Sequence, residues 1–203
     1  MGNRALAIGV SLCCILLTGG AAWAGSPEGP LPQGTIEWGV MTGYGRSFGL
    51  GASKPGIDFI ALLPRLGYVV TQLGGPFSLK GSLTAVAEAV PALVAFESQT
   101  IYGGGFNLLL RYDVATGTRF APFLEGGAGI LLSTPQSTDR ESQFRASQFN
   151  FTLQIAPGLR YMLTKQVALN VEYRFHHISD ARLTERDPGI NSHFVLTGLS
   201  LFH

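Results

Sequence analysis

Apolar residues recur at every second position along much of this chain. From Phe149 to Tyr161 the odd positions read Phe, Phe, Leu, Ile, Pro, Leu and Tyr, while Asn150, Thr152, Gln154, Ala156, Gly158 and Arg160 fill the even ones. Val167 to Phe175 repeats the arrangement, with Ala168, Asn170, Glu172 and Arg174 on the second phase, and Tyr102 to Tyr112 does so again. A period of two is the signature of a β-strand with one apolar and one polar face. The pattern predicts eight strands: Thr35 to Tyr44, Ile57 to Val70, Phe77 to Ala89, Thr100 to Val114, Phe120 to Leu132, Phe149 to Leu163, Val167 to Ser179 and His193 to Phe202.

The connections between these segments alternate in length. Gln72 to Pro76, Ala115 to Arg119 and Thr164 to Gln166 are tight, whereas Gly45 to Gly56, Val90 to Gln99, Ser133 to Gln148 and Asp180 to Ser192 are long. Short turns at one end and long loops at the other are the habit of an outer-membrane β-barrel. A soluble barrel with an apolar interior produces the same alternation inverted, so the charges must decide. Glu37, Arg111, Glu125, Arg160, Glu172 and Arg174 all fall on the second phase, where they can pair across a narrow lumen. With strands near 10 residues long and tyrosines at Tyr112, Tyr161 and Tyr173, that placement favours lipid outside. The expected fold is all-β: an eight-stranded antiparallel transmembrane barrel. Its last residues add an aromatic terminus at Phe202, followed by His203.

The first residues carry a different pattern. Arg4, the apolar run Ala5 to Leu17 and the small-x-small triplet Ala22-Trp23-Ala24 read as a signal peptide, cleaved after residue 24. Neither Cys13 nor Cys14 follows the small residue that lipoprotein processing requires. Residues 25–203 then form a single barrel domain with no linker. Cleavage removes both cysteines, which excludes disulfides, cysteine nucleophiles and cysteine metal sites. It also removes Arg4 from a chain of formal charge +1, leaving no net charge and no basic stripe for nucleic acid. The nearest approach to a long apolar helix, Leu83 to Phe96, is interrupted by Glu88 and Pro91.

One stretch breaks the apolar phase. His177 and Ser179 continue the odd, lipid-facing series of the seventh strand, at the end leading into a long loop, while His176 falls on the lumen phase. Polar groups on such a stripe are costly unless they bond each other or lie at headgroup depth. Histidine and serine two apart on a strand lie side by side, which suits a general base and a hydroxyl nucleophile. They equally suit two interfacial polar residues. Adjacent His176 and His177 point to opposite faces and make no metal-ligand pair, and no other metal-ligand spacing appears.

His177-Ile178-Ser179-Asp180-Ala181, followed by Asp187-Pro188-Gly189-Ile190 and Asn191, resembles the lipid A 3-O-deacylases of the outer membrane. The stretch RFAPFLEGGAGILL, residues 119–132, is similar to the Pro-Phe-x-Glu-x-Gly core of a central strand in that family. The resemblance covers most of the mature chain. It implies an eight-stranded barrel in the bacterial outer membrane that takes lipopolysaccharide as its substrate among the outer-membrane lipids. The reaction implied is hydrolysis of an ester-linked acyl chain by an outward-facing triad, without cofactor or metal. In the family a carboxylate about 12 residues after the serine completes the triad. Here Asn191 stands at that place, Asp180 stands where Asn is usual, and Asp187 where another Asn contributes near the oxyanion.

An amide orients a histidine but does not stabilise imidazolium as a carboxylate does. Ser179 is therefore expected as nucleophile, His177 as base and Asn191 as orienter, with Glu185 or His193 as alternatives for the last role. Backbone amides near Asp180, Asp187 and Gly189 are candidate oxyanion donors. Arg182 and Arg186 are candidate contacts for lipopolysaccharide phosphates, or simply solvate loops with Arg46, Lys54, Arg140 and Arg145. Two other readings stay open: a non-catalytic outer-membrane barrel, structural or adhesive, and a soluble periplasmic barrel that binds a lipid.

Overall fold

The computed structural model describes residues 29–51, 53, 55–74, 80–96, 100–134, 148–181, 183 and 189–203. The expected signal peptide lies outside the described residues, as do Lys54, Arg140, Arg145, Arg182, Glu185, Arg186 and Asp187. Eight strands follow one another: β1 (Ile36–Phe48), β2 (Asp58–Gly74), β3 (Lys80–Phe96), β4 (Thr100–Val114), β5 (Phe120–Ser133), β6 (Phe149–Met162), β7 (Val167–Ser179) and β8 (Ile190–Phe202). Each pairs antiparallel with the next, and β8 pairs with β1 to close the barrel. Closure leaves no unpaired edge, which is the condition for a sheet to cross lipid.

The strands run 13 to 17 residues each; β4 and β7 fall on the expected ranges, while β1, β2, β3 and β8 are longer. Three boundaries move for physical reasons. β1 continues past Gly45 to Phe48, so Arg46 lies on a strand rather than in a loop. Gly45 is a packing gap there: a Cβ on it would sit 2.6 Å from the Phe194 ring. β3 continues through Pro91 to Phe96, so Val90 to Gln99 is not a long loop. The ladder steps from Val90↔Gly105 to Leu93↔Gly103, a bulge that tolerates the missing N–H of Pro91. β8 begins at Ile190, which brings Asn191 onto the strand.

The phases hold throughout. Trp38, Leu108, Leu153 and Val195 are exposed on the outer wall, while Glu37, Arg111, Glu125, Arg160, Glu172 and Arg174 are all buried inside. A continuous apolar girdle of this kind suits lipid rather than water. Inside, Arg65, Glu88 and Asp113 join the expected charges. Arg65 reaches Glu88 at 2.7 Å and Glu172 at 3.3 Å, Arg174 reaches Glu88 at 2.8 Å and Glu172 at 2.7 Å, and Arg160 reaches Asp113 at 2.9 Å. Arg111 pairs with Glu37.

The charged layer of the lumen lies in its middle. Toward the loop end Met41, Phe59, Leu63, Leu131, Phe194 and Leu196 form an apolar plug, and toward the short-turn end Leu31, Val69, Met162, Ala168 and Phe202 form a second. Phe202 thus points inward, its ring 5.0 Å from the Arg160 guanidinium, and is not part of the membrane-facing stripe. The segment before β1 tucks beneath the barrel, where the Leu31 carbonyl accepts bonds from Ser82 and Gln72. Desolvated between two plugs, the ion pairs act as a rigid layer and not as the wall of an aqueous pore.

Candidate active site

The pleat of β7 turns His177 and Ser179 to the outer wall, both half-buried, and turns the buried His176 inward against Phe194 at 5.6 Å. Same-face residues two apart on a strand are separated by about 7 Å. On the neighbouring β8, Asn191 is the direct cross-strand partner of His177. The two side chains meet: His177 Nδ1 lies 2.7 Å from Asn191 Oδ1.

The surroundings of Asn191 decide which way its amide faces. Its Nδ2 donates to the Leu50 carbonyl at 3.3 Å, an acceptor that the amide oxygen cannot use. That contact turns Oδ1 toward the imidazole, so His177 Nδ1 must carry the proton and donate. The hydrogen-bond pattern therefore places the free lone pair on Nε2, the form a general base requires. The backbone N–H of Asn191 is held as well, donating to Ser53 Oγ at 3.1 Å, while Ser53 Oγ donates to the Phe48 carbonyl at 3.2 Å. The connection between β1 and β2 thus forms a seat under the orienting residue. Sequence reasoning missed Leu50 and Ser53, because they lie 141 and 138 positions from Asn191.

Gly189 closes over the ring. Its φ of +61° suits glycine, and a Cβ added there would fall 2.9 Å from His177 Cε1. On the other side of Ser179, Ala181 takes a left-handed φ of 54° and turns the chain off β7, with Leu183 N–H donating to the Asp180 carbonyl at 3.1 Å. Asp180 is 1% exposed, so its carboxylate is not presented on the lipid face beside Ser179. His193 does not serve His177: its Nδ1 meets the Tyr173 hydroxyl, and its ring stacks on Phe48 at 4.0 Å. Among the described residues the Ser179 hydroxyl takes no hydrogen bond. Phe151 pairs with Ser179 and Leu153 with His177, which sets an apolar strip of β6 beside the pair.

Residues 69–200 match the family model for lipid A 3-O-deacylase (PagL). The chain belongs to the PagL family. It is an outer-membrane barrel, and its family is one of lipid A hydrolases. The barrel is similar to the crystal structure of the outer membrane enzyme PagL, with a TM-score of 0.52 and 20% identity over 80% of this chain and 97% of that one. It is also similar to Neisserial surface protein A, with a TM-score of 0.55 and 13% identity over 83% and 99% of the two chains. A third likeness is to Ail, the attachment invasion locus protein of Yersinia pestis, with a TM-score of 0.52 and 10% identity over 85% and 100%. At these identities the likeness to solved structures carries the fold alone, and the PagL-family membership rests on the match over residues 69–200. Comparison with the curated proteins gave no match.

Proposed function

We propose that this barrel removes an ester-linked acyl chain from lipid A in the outer leaflet, with Ser179 as nucleophile, His177 as general base and Asn191 as its orienter. The observation that carries the reading is the bond from His177 Nδ1 to Asn191 Oδ1, which leaves Nε2 as the basic nitrogen of the imidazole. Ser179 Oγ attacks the ester carbonyl as its proton passes to His177 Nε2, and a tetrahedral oxyanion forms. Collapse breaks the bond to the sugar oxygen, which takes the proton from Nε2 and departs as an alcohol. Water then attacks the acyl-serine, His177 Nε2 takes and returns the proton, and the fatty acid leaves.

The location suits the substrate. Acyl chains of lipid A already lie in the bilayer, so a site on the outer wall receives them sideways, against Phe151, Leu153 and Ile155 on β6. Backbone N–H groups around Asp180 and Gly189 are the oxyanion donors of this proposal. The mechanism asks for no cofactor. The competing reading is an inert barrel of the same fold, favoured by the Ser179 hydroxyl donating no bond to His177 among the described residues. Mass spectrometry of lipid A from cells expressing the wild type or Ser179→Ala separates the two. Loss of one acyl chain in the wild type alone is expected, and intact lipid A in both cases selects the inert barrel.

A further inference from the structure

The extension of β1 to Phe48 puts Arg46 on the lipid-facing stripe, where its side chain is 64% exposed. Its ion pair with Asp58 on β2 is long, 3.7 Å through Nε, and Asp58 also accepts from the Tyr44 hydroxyl. Across β1 and β8, Arg46 is the direct partner of His193, as Phe48 is of Asn191. Arg46 therefore lies one outward-facing position, about 7 Å along the strand toward the short-turn end, from the row that holds Asn191 and His177. An arginine on a barrel's outer stripe is strongly unfavourable at the bilayer midplane and nearly free of cost at the headgroup boundary. The row sits at the loop end of β1, β7 and β8, the end that meets the outer-leaflet headgroups in a barrel with long external loops. A planar guanidinium with one distant carboxylate partner retains donors for a further anion, and its fork matches phosphate oxygens.

We propose that Arg46 is a specificity residue that binds a phosphate group on the glycolipid headgroup, setting that headgroup against the wall so that an acyl ester reaches Ser179. This rests on the deacylation reading above and names the part of the substrate that the wall recognises. The chemistry is a phosphate monoester one sugar away from the ester, held at the β1–β8 seam.

The test uses the purified full barrel in detergent micelles, with bisphosphorylated lipid A and lipid A from which both phosphates have been removed. For the wild type, removal of the phosphates is expected to lower kcat/KM roughly tenfold, the low end for a charge-assisted bond. Arg46→Gln is expected to cause the same loss on the phosphorylated lipid, through KM, and none on the dephosphorylated one, with Arg46→Lys between. Equal slowing on both lipids, or on neither, overturns the proposal. Native mass spectrometry of lipid adducts on Ser179→Ala and on Ser179→Ala with Arg46→Gln reads the subsite without turnover. Fewer phosphorylated lipid A adducts on the double variant support it even if the wild type proves unable to hydrolyse lipid A, which would sink deacylation alone. Equal adducts on both proteins, or an equal dependence of phosphatidylglycerol adducts on Arg46, overturn it.

Discussion

Asn191 presents its carbonyl to His177 because its amide nitrogen is taken by the Leu50 carbonyl, and the imidazole is thereby fixed with its proton on Nδ1. The pair achieves with a neutral residue half of what a carboxylate does: it sets the tautomer and the ring plane, but leaves the imidazolium without a countercharge.

Two substitutions separate those halves. Asn191→Ala removes the orientation and is expected to lower kcat by about one to two orders of magnitude with little change in KM, an orienter's effect. Asn191→Asp keeps an oxygen at the Oδ1 position and adds a charge. At an effective dielectric near 20 a charge at 4 Å is worth about 4 kcal/mol to the imidazolium. The lost bond to Leu50 is worth about 1 kcal/mol. The desolvation of the carboxylate is borne by ground and transition states alike, so it lowers stability and not kcat. Asn191→Asp should turn over at least several-fold faster while unfolding at a lower temperature, and single-turnover kinetics with a heat-modifiable gel shift measure both. A kcat below that of the wild type would show that orientation through the amide, not charge, limits this site.

The ion-pair layer should matter for the barrel and not for the chemistry. Glu88 is wholly buried and accepts from Arg65, from both terminal nitrogens of Arg174 and from Asn107. Glu88→Ala leaves two desolvated guanidinium groups short of a partner, a change that costs about 3 kcal/mol or more. Urea unfolding in detergent should show that loss, whereas the folded fraction deacylates at the wild-type rate because the layer lies behind the wall. Pairing Glu88→Leu with Arg65→Met should recover part of the stability, as removal of both partners leaves less charge unmatched.

The strands and their phase were legible because a pleat imposes its period directly on the residues. That is why the outward placement of His177 and Ser179, the inward placement of His176 and the burial of Glu37, Arg111, Glu125, Arg160, Glu172 and Arg174 follow from parity, whereas Arg65, Glu88 and Asp113 were not singled out. Local breaks were less readable. The first strand was expected to end at Tyr44, but it runs on through Gly45, which clears space for Phe194, and the misplaced end put Arg46 in a loop. Pro91 was expected in a loop and is absorbed into β3 by a bulge. The resemblance to the family set Asn191 beside His177, and the two side chains do meet, whereas the support of Asn191 from Leu50 and Ser53 depends on closure of β1 onto β8, which no local pattern encodes.

Gly189 connects the last loop to the base. Its left-handed backbone disfavours any side chain, and a Cβ would press within 2.9 Å of His177 Cε1 and 3.5 Å of Nε2. Gly189→Ala therefore carries a backbone cost of about 1 kcal/mol and a contact that only movement of the imidazole can relieve. That movement works against the 2.7 Å bond to Asn191, so the expected result is a fall in kcat of roughly tenfold or more with a barrel that still folds. Nitrogen-15 NMR of the His177 ring gives the independent reading: the wild type should show a protonated Nδ1, and Gly189→Ala a mixture of tautomers. An unchanged ring spectrum with reduced kcat would move the role of Gly189 from holding the base to supplying its own N–H to the oxyanion.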